Sequence, residues 1–147
     1  MRLKLVLTYL FVSISIRAFA SYILIPMDAN YQNDHLKSYG IAYWVLNQNQ
    51  NIKWLLNYRG GAFLIPNSSL IAKECQIRGV SYEIITDSKV NDILSQINSP
   101  SQNMEAVILE KAPKIAVYSP SGKQPWEDAV TLVLSYAEIP YDLIYDE

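Results

Sequence analysis

The stretch IKWLLNYRGGAFLIP, Ile52 to Pro66, decides the fold. Ile52 to Tyr58 reads as a strand, and Arg59-Gly60-Gly61 breaks it. Ala62 to Pro66 then reads as an apolar loop, because Ser68 and Ser69 follow as caps of a helix that runs to Arg78 and is stopped by Gly79. On this reading one strand passes through one connection into one helix.

The same alternation continues on both sides. Upstream, Tyr22 to Pro26 is a short buried strand, residues 28–34 form an Asn-rich connection, and from His35 the residues Leu36, Tyr39, Gly40, Tyr43, Val45 and Leu46 give a helical apolar face. Downstream, Val80 to Thr86 is a strand, Asp87 or Ser88 caps a helix bearing Val90, Ile93, Leu94 and Ile97, and Asn98 to Asn103 has the composition of an exposed linker and internal boundary. Met104 to Leu109 and Lys114 to Tyr118 are further strands. A helix opens at Gln124-Pro125-Trp126, with Trp126, Val130, Val133 and Ala137 as its stripe, and Tyr141 to Tyr145 is the last strand. Alternating strands and helices predict an α/β fold with a mainly parallel sheet of right-handed crossovers. Residues 21–112 form an N-terminal α/β region, and 113–147 the first, incomplete βαβ unit of a second domain with a Rossmann-like start.

The first twenty residues carry a different signal. Arg2 and Lys4 precede an apolar run from Leu5 to Ile16, and Ala18-Phe19-Ala20 supplies the small residues of a cleavage site. That is a secretory signal peptide, too short in its apolar run to anchor the chain in a bilayer. The mature protein, beginning at Ser21, is expected in the periplasm or outside the cell. It keeps nine basic residues against 14 acidic ones. Scattered basic residues and a net negative charge argue against a nucleic-acid partner. With Cys75 as the single cysteine, no intramolecular disulfide can form, and with His35 as the single histidine no His/Cys zinc cluster is available.

Two glycine-containing turns are candidate sites. Ser121-Gly122-Lys123 sits between a strand and a helix, but Val117 and Gln124 occupy positions where a phosphate loop needs Gly and Ser or Thr, and Gly122 is one glycine where a dinucleotide fingerprint needs three. No cofactor is expected. The turn is either solvated or the edge of a cleft whose free amides attract anions. Arg59-Gly60-Gly61 is either a tight bend or a grip in which guanidinium and amides hold a carboxylate or phosphate. Together Arg59, Gly60, Gly61, Ser121, Gly122 and Lys123 would receive a small anionic or amide-containing ligand. Cys75 reads as a buried helical thiol, and Tyr39, Tyr43, Trp44 and Trp54 as core aromatics with the option of lining a pocket.

The phrases ILIPMD, HLKSYGIAYWVLNQN, WLLNYRGGAFLIP, ECQIRGVSYEII and KAPKIAVYSPSGKQPWEDAVTLVLSYAEIPYDLIYDE cover most of the mature chain. Together they resemble the amino-terminal part of a family of longer exported bacterial proteins commonly labelled asparagine synthetase B. The resemblance implies that the chain from Lys114 opens a glutamine-amidotransferase-like α/β domain whose nucleophile would lie beyond Glu147. No catalytic residue is carried over, since a glutamine-dependent synthetase needs a cysteine exposed as its first residue and a Ser-Gly-Gly-x-Asp-Ser loop for ATP, and this sequence has neither. The expectation is a non-catalytic scaffold or ligand-binding region. The alternative is part of an amidotransferase or amide hydrolase, and the apolar surface of such a fragment would favour self-association.

Overall fold

The computed structural model describes residues 21–119 and 129–144, and in it Ala62–Pro66 is a strand at the centre of a five-stranded sheet. That one element overturns the expected parallel architecture. The first strand, β1 (Ser21–Ile25), leads through helix α1 (His35–Asn47) to β2 (Ile52–Leu56), which turns straight back as β3 (Ala62–Pro66). Helix α2 (Ser69–Arg78), β4 (Glu83–Thr86), α3 (Asp87–Ile97) and β5 (Glu105–Leu109) follow. The sheet order is β4-β1-β3-β2-β5, and every neighbouring pair is antiparallel.

β1 and β2 thus run the same way with β3 inserted between them, and β3 and β4 run the same way around β1. This is the split βαβ, or ferredoxin-like, arrangement. To it α3 and β5 add a second helical layer and a fifth strand. Residues 98–103, expected as an exposed linker and internal boundary, connect α3 to β5 within this one sheet.

The reason β3 looks like a loop in the sequence is that both of its faces are covered. Phe63 and Ile65 lie in one core with Ile23, Ile25, Ile41, Val45, Ile71 and Cys75, beneath α1 and α2. Ala62 and Leu64 lie in the other with Leu24, Leu55, Val90, Ile93 and Ile97, beneath α3. A strand buried on both sides has no polar alternation to announce it.

Local chemistry fixes the helix ends. The Asp34 side chain accepts from the Lys37 amide at 2.9 Å, Ser68 accepts from Leu70, and Gly79 ends α2 in the left-handed region at φ 71°. For α3 the cap is Thr86, ahead of the expected Asp87 or Ser88, which are the first two residues of the helix.

Among the described residues, parallel pairing is confined to β6 (Ala116–Tyr118) and β7 (Asp142–Ile144), joined across helix α4 (Ala129–Ala137). The expected start of that helix at Gln124 lies outside the described residues. Of its expected stripe, Ala137 is buried, whereas Val130 and Val133 are 54% and 40% exposed.

Candidate functional site

The β2–β3 turn is built from residues that accept a left-handed backbone. Asn57, Arg59, Gly60 and Gly61 have φ of 59°, 46°, 77° and 96°. The amides of Gly61 and Ala62 both donate to the Tyr58 carbonyl at 3.0 Å, and the Gly61 carbonyl accepts from Trp54 Nε1 at 3.0 Å. Gly60 is packed so closely on the β1–α1 connection that an added Cβ would stand 2.6 Å from the Met27 carbonyl group.

Arg59 does grip carboxylates, but they belong to the chain. Its Nε donates to Asp28 Oδ2 at 3.0 Å and Nη1 to Glu83 Oε1 at 2.6 Å, while the guanidinium lies 4.5 Å over the Tyr31 ring. The Arg59 carbonyl accepts from the Met27 amide at 2.9 Å. Burial would lower the Arg59 pKa, yet the hydrogen bonds and charges of Glu83 and Asp28 outweigh it and hold the value above normal. One cation thereby joins the β2–β3 turn, the β1–α1 connection and β4, and the two carboxylates leave it no surplus positive charge for an incoming anion. Arg59→Ala is expected to destabilise the fold by about 1–2 kcal/mol, since all three side chains keep some solvent screening. Chemical denaturation measures this, and an unchanged midpoint would show that the turn holds without its cation.

Ser121, Gly122 and Lys123 lie outside the described residues. Cys75 is fully buried in α2, and burial above all, with Glu74 beside it, pushes its thiol up to about 11. It is therefore protonated and unreactive at neutral pH. His35 donates from Nε2 to the Met27 carbonyl at 2.8 Å. Among the described residues no group of three or more His, Cys, Asp and Glu is placed to hold a metal ion, and no helix is long and apolar enough to cross a membrane.

A more elaborate set of contacts lies where α4 ends against α1. Gly40, on α1, faces the last turn of α4 so closely that an added Cβ would be 1.9 Å from the Ala137 carbonyl oxygen. Lys37 Nζ donates to Glu138 Oε1 at 2.6 Å and sits 4.9 Å over the Tyr136 ring, whose hydroxyl donates to the Asp34 carboxylate. Arg78, with a side chain only 7% exposed, donates from Nε to Glu74 at 2.8 Å and pairs with Glu138 Oε2 at 3.3 Å. Two cations therefore meet the negative end of the α4 dipole. Glu138 holds the left-handed position that closes the helix, at φ 59°, with Ile139 donating back to Leu134. That position usually belongs to glycine. Here the two ion pairs accompany a glutamate.

The electrostatics of this joint are directional. Desolvation pulls the Asp34 carboxyl up, but the Tyr136 and Lys37 hydrogen bonds with the charges of Lys37 and His35 prevail and hold it below its ordinary value. Glu138 is lowered by the Lys37 hydrogen bond, against desolvation and with further help from Arg78. Carboxyls depressed in this way give their full contribution at pH above their ordinary values and lose it as the pH falls through the depressed ones. The joint is accordingly expected to hold at neutral pH and to open in strong acid, read from backbone chemical shifts of residues 134–139 across an acid titration. Shifts that stay constant through carboxylate protonation would show that charge does not hold it.

Beside the joint is an apolar pocket of about 190 Å³, walled by Tyr39, Tyr43 and Leu46 of α1, Trp54 and Phe63 of the sheet, and Ile139. Tyr39 meets Phe63 edge-on at 5.6 Å, and Trp54 stacks on Phe63 at 6.2 Å. Of the four aromatics expected as core with the option of lining a pocket, Tyr39, Tyr43 and Trp54 line this one and Trp44 does not, and Tyr39 is 43% exposed. That Gly40, Arg78 and Glu138 meet is not legible in the sequence, because the contacts that join Gly40 to Ala137 and Arg78 to Glu138 span distant parts of the chain.

Compared with family models, curated proteins and solved structures, the chain matches none.

Proposed function

We propose that this chain is a non-catalytic platform of an exported protein, whose ferredoxin-like sheet holds the parallel βαβ unit in a fixed position on α1. The observation that carries this reading is the joint itself. Glu138 is bound from two helices at once, by Lys37 of α1 and Arg78 of α2, over a helix contact that Gly40 makes close. Tyr43 adds a hydrogen bond to the Pro113 carbonyl at 2.9 Å, which ties down the segment between β5 and β6. A linked domain left free to reorient would not need a buried arginine and a glycine-mediated helix contact.

Export by leader cleavage after Ala20 is part of this reading and rests on the sequence signal: Arg2 and Lys4 ahead of the apolar run Leu5 to Ile16, then Ala18-Phe19-Ala20. Intact-mass measurement of the protein recovered from the cell envelope is expected to show an N-terminus at Ser21. A species retaining Met1 in the cytoplasm would remove export from the proposal.

The absence of catalysis is tested separately. Purified chain is expected to release ammonia from glutamine or asparagine no faster than buffer does, and turnover above that rate would make it an enzyme.

A further inference from the structure

We propose that two copies of this chain join edge to edge through β5, antiparallel about a two-fold axis at Ile108, so that the five-stranded sheet of one continues into that of the other. The sheet has two edges, and they differ. At one, β4 is four residues long, gives its Glu83 to Arg59 and passes from Thr86 straight into α3. At the other, β5 has five residues, and among the described residues it pairs with β2 alone.

An edge strand is ordinarily guarded by a lysine, a proline or a bulge, because its free N–H and C=O groups invite another strand. Glu105–Leu109 has none of these, and its register with β2 runs unbroken from Leu109 opposite Ile52 to Glu105 opposite Leu56. What it presents is apolar. Ala106 and Ile108 share one face by the two-residue period. Ala106 packs into the core beneath α3, whereas Ile108 lies outside that core and is 57% exposed.

Charge identifies the occupant as a second copy. Glu105 and Lys111 stand three residues to either side of Ile108, both exposed, and neither side chain has an ion-pair partner among the described residues. An antiparallel copy with its axis at Ile108 sets Glu105 of each chain against Lys111 of the other, Val107 against Leu109 and Ile108 against itself, with Ala106 meeting Glu110 just past the strand end. Opposite charges and facing apolar side chains are stabilising cross-strand pairs. Moving the axis to Val107 sets Glu105 against Leu109, and the register between the two opposes Glu105 to Glu110. The edge is therefore self-complementary in one register, as an isologous contact requires.

The test is sedimentation equilibrium of the purified protein at rising concentration. Pairing of one short strand makes a small interface, so a dissociation constant on the order of 100 μM is expected. Glu105→Lys and Lys111→Glu should each weaken the dimer roughly fivefold, and the double variant, which restores opposite charges, should return it to within about twofold of the parent. Ile108→Cys should give a disulfide-linked dimer on oxidation, because facing residues of antiparallel strands lie within disulfide reach, while Cys75 stays buried and protonated. Ile84→Cys, at a position 60% exposed on the opposite edge, should remain uncrosslinked. A protein that stays monomeric at millimolar concentration would overturn the proposal, as would a double charge variant no better than the single ones, or crosslinking through Ile84→Cys in place of Ile108→Cys. None of these readouts involves the joint of α4 on α1, so the platform reading is tested separately.

Discussion

Gly40→Ala is expected to lift α4 away from α1 while the five-stranded sheet stays folded. In an isolated helix the same substitution would stabilise by about 1 kcal/mol, because alanine has far less backbone entropy to lose than glycine. Here the new Cβ would stand 1.9 Å from the carbonyl oxygen of Ala137 and 3.0 Å from its carbon. Both are backbone atoms, which no side-chain rotation can move aside. The helices must separate by more than an ångström, and the contacts that depend on their spacing go with it: Lys37 to Glu138, Tyr136 to Asp34 and Arg78 to Glu138. Arg78 then keeps Glu74 alone, with an Nη1 that already has no hydrogen-bond partner among the described residues. A net cost of roughly 1–3 kcal/mol to docking follows from overpacking of this kind. Hydrogen exchange at residues 134–139 should quicken with exchange in β1 and β3 unchanged. A variant more stable than the parent throughout would mean that Gly40 is an ordinary surface-helix glycine and that the platform has no joint at this point.

Much of the chain is legible from local patterns, and the exceptions share a cause. The period of α1 and the caps of α2 are in the sequence, as are the apolar runs of β1 and β2. Ala62–Pro66 is equally apolar, but neighbouring strands and both helical layers enclose it, so its neighbours remove the alternation that would identify it. Gly60 and Gly61 before it read equally as a tight bend or as an anion grip. A short glycine turn between two apolar runs is also a hairpin signal, and a hairpin here reverses the chain and makes the sheet antiparallel. Arg59 has the local chemistry of an anion site, a cation in a glycine turn after a strand. Its partners Asp28 and Glu83 come from elements whose proximity depends on the strand order. Gln32 makes the same point, sitting in an Asn-rich connection yet only 2% exposed, where it bonds Pro26 and both backbone groups of Ser81.

Gly60→Ala should be the most damaging single-methyl change in the sheet unit, and Gly79→Ala supplies its internal control. Both glycines are left-handed, at φ 77° and 71°, so both substitutions incur the roughly 1 kcal/mol or more of an L-residue in that region. They differ in surroundings. A Cβ on Gly79 meets nothing within 4 Å, whereas one on Gly60 would be 2.6 Å from Met27 C and O and 2.9 Å from the Asp28 amide nitrogen. That backbone cannot yield cheaply, because the Met27 amide donates to Arg59, the Met27 carbonyl accepts from His35, and Asp28 is held by the Arg59 guanidinium. Displacing it pulls on β1 and on the cap of α1 together. Adding an overpacking cost of about 1–3 kcal/mol to the conformational one gives roughly 3 kcal/mol, or a fall in Tm on the order of 10 °C, against about a third of that for Gly79→Ala. Paired thermal melts decide it. Equal losses in the two variants would show that the turn gives way without resistance, and the Arg59 knot would then be a consequence of the hairpin's position and not what fixes it.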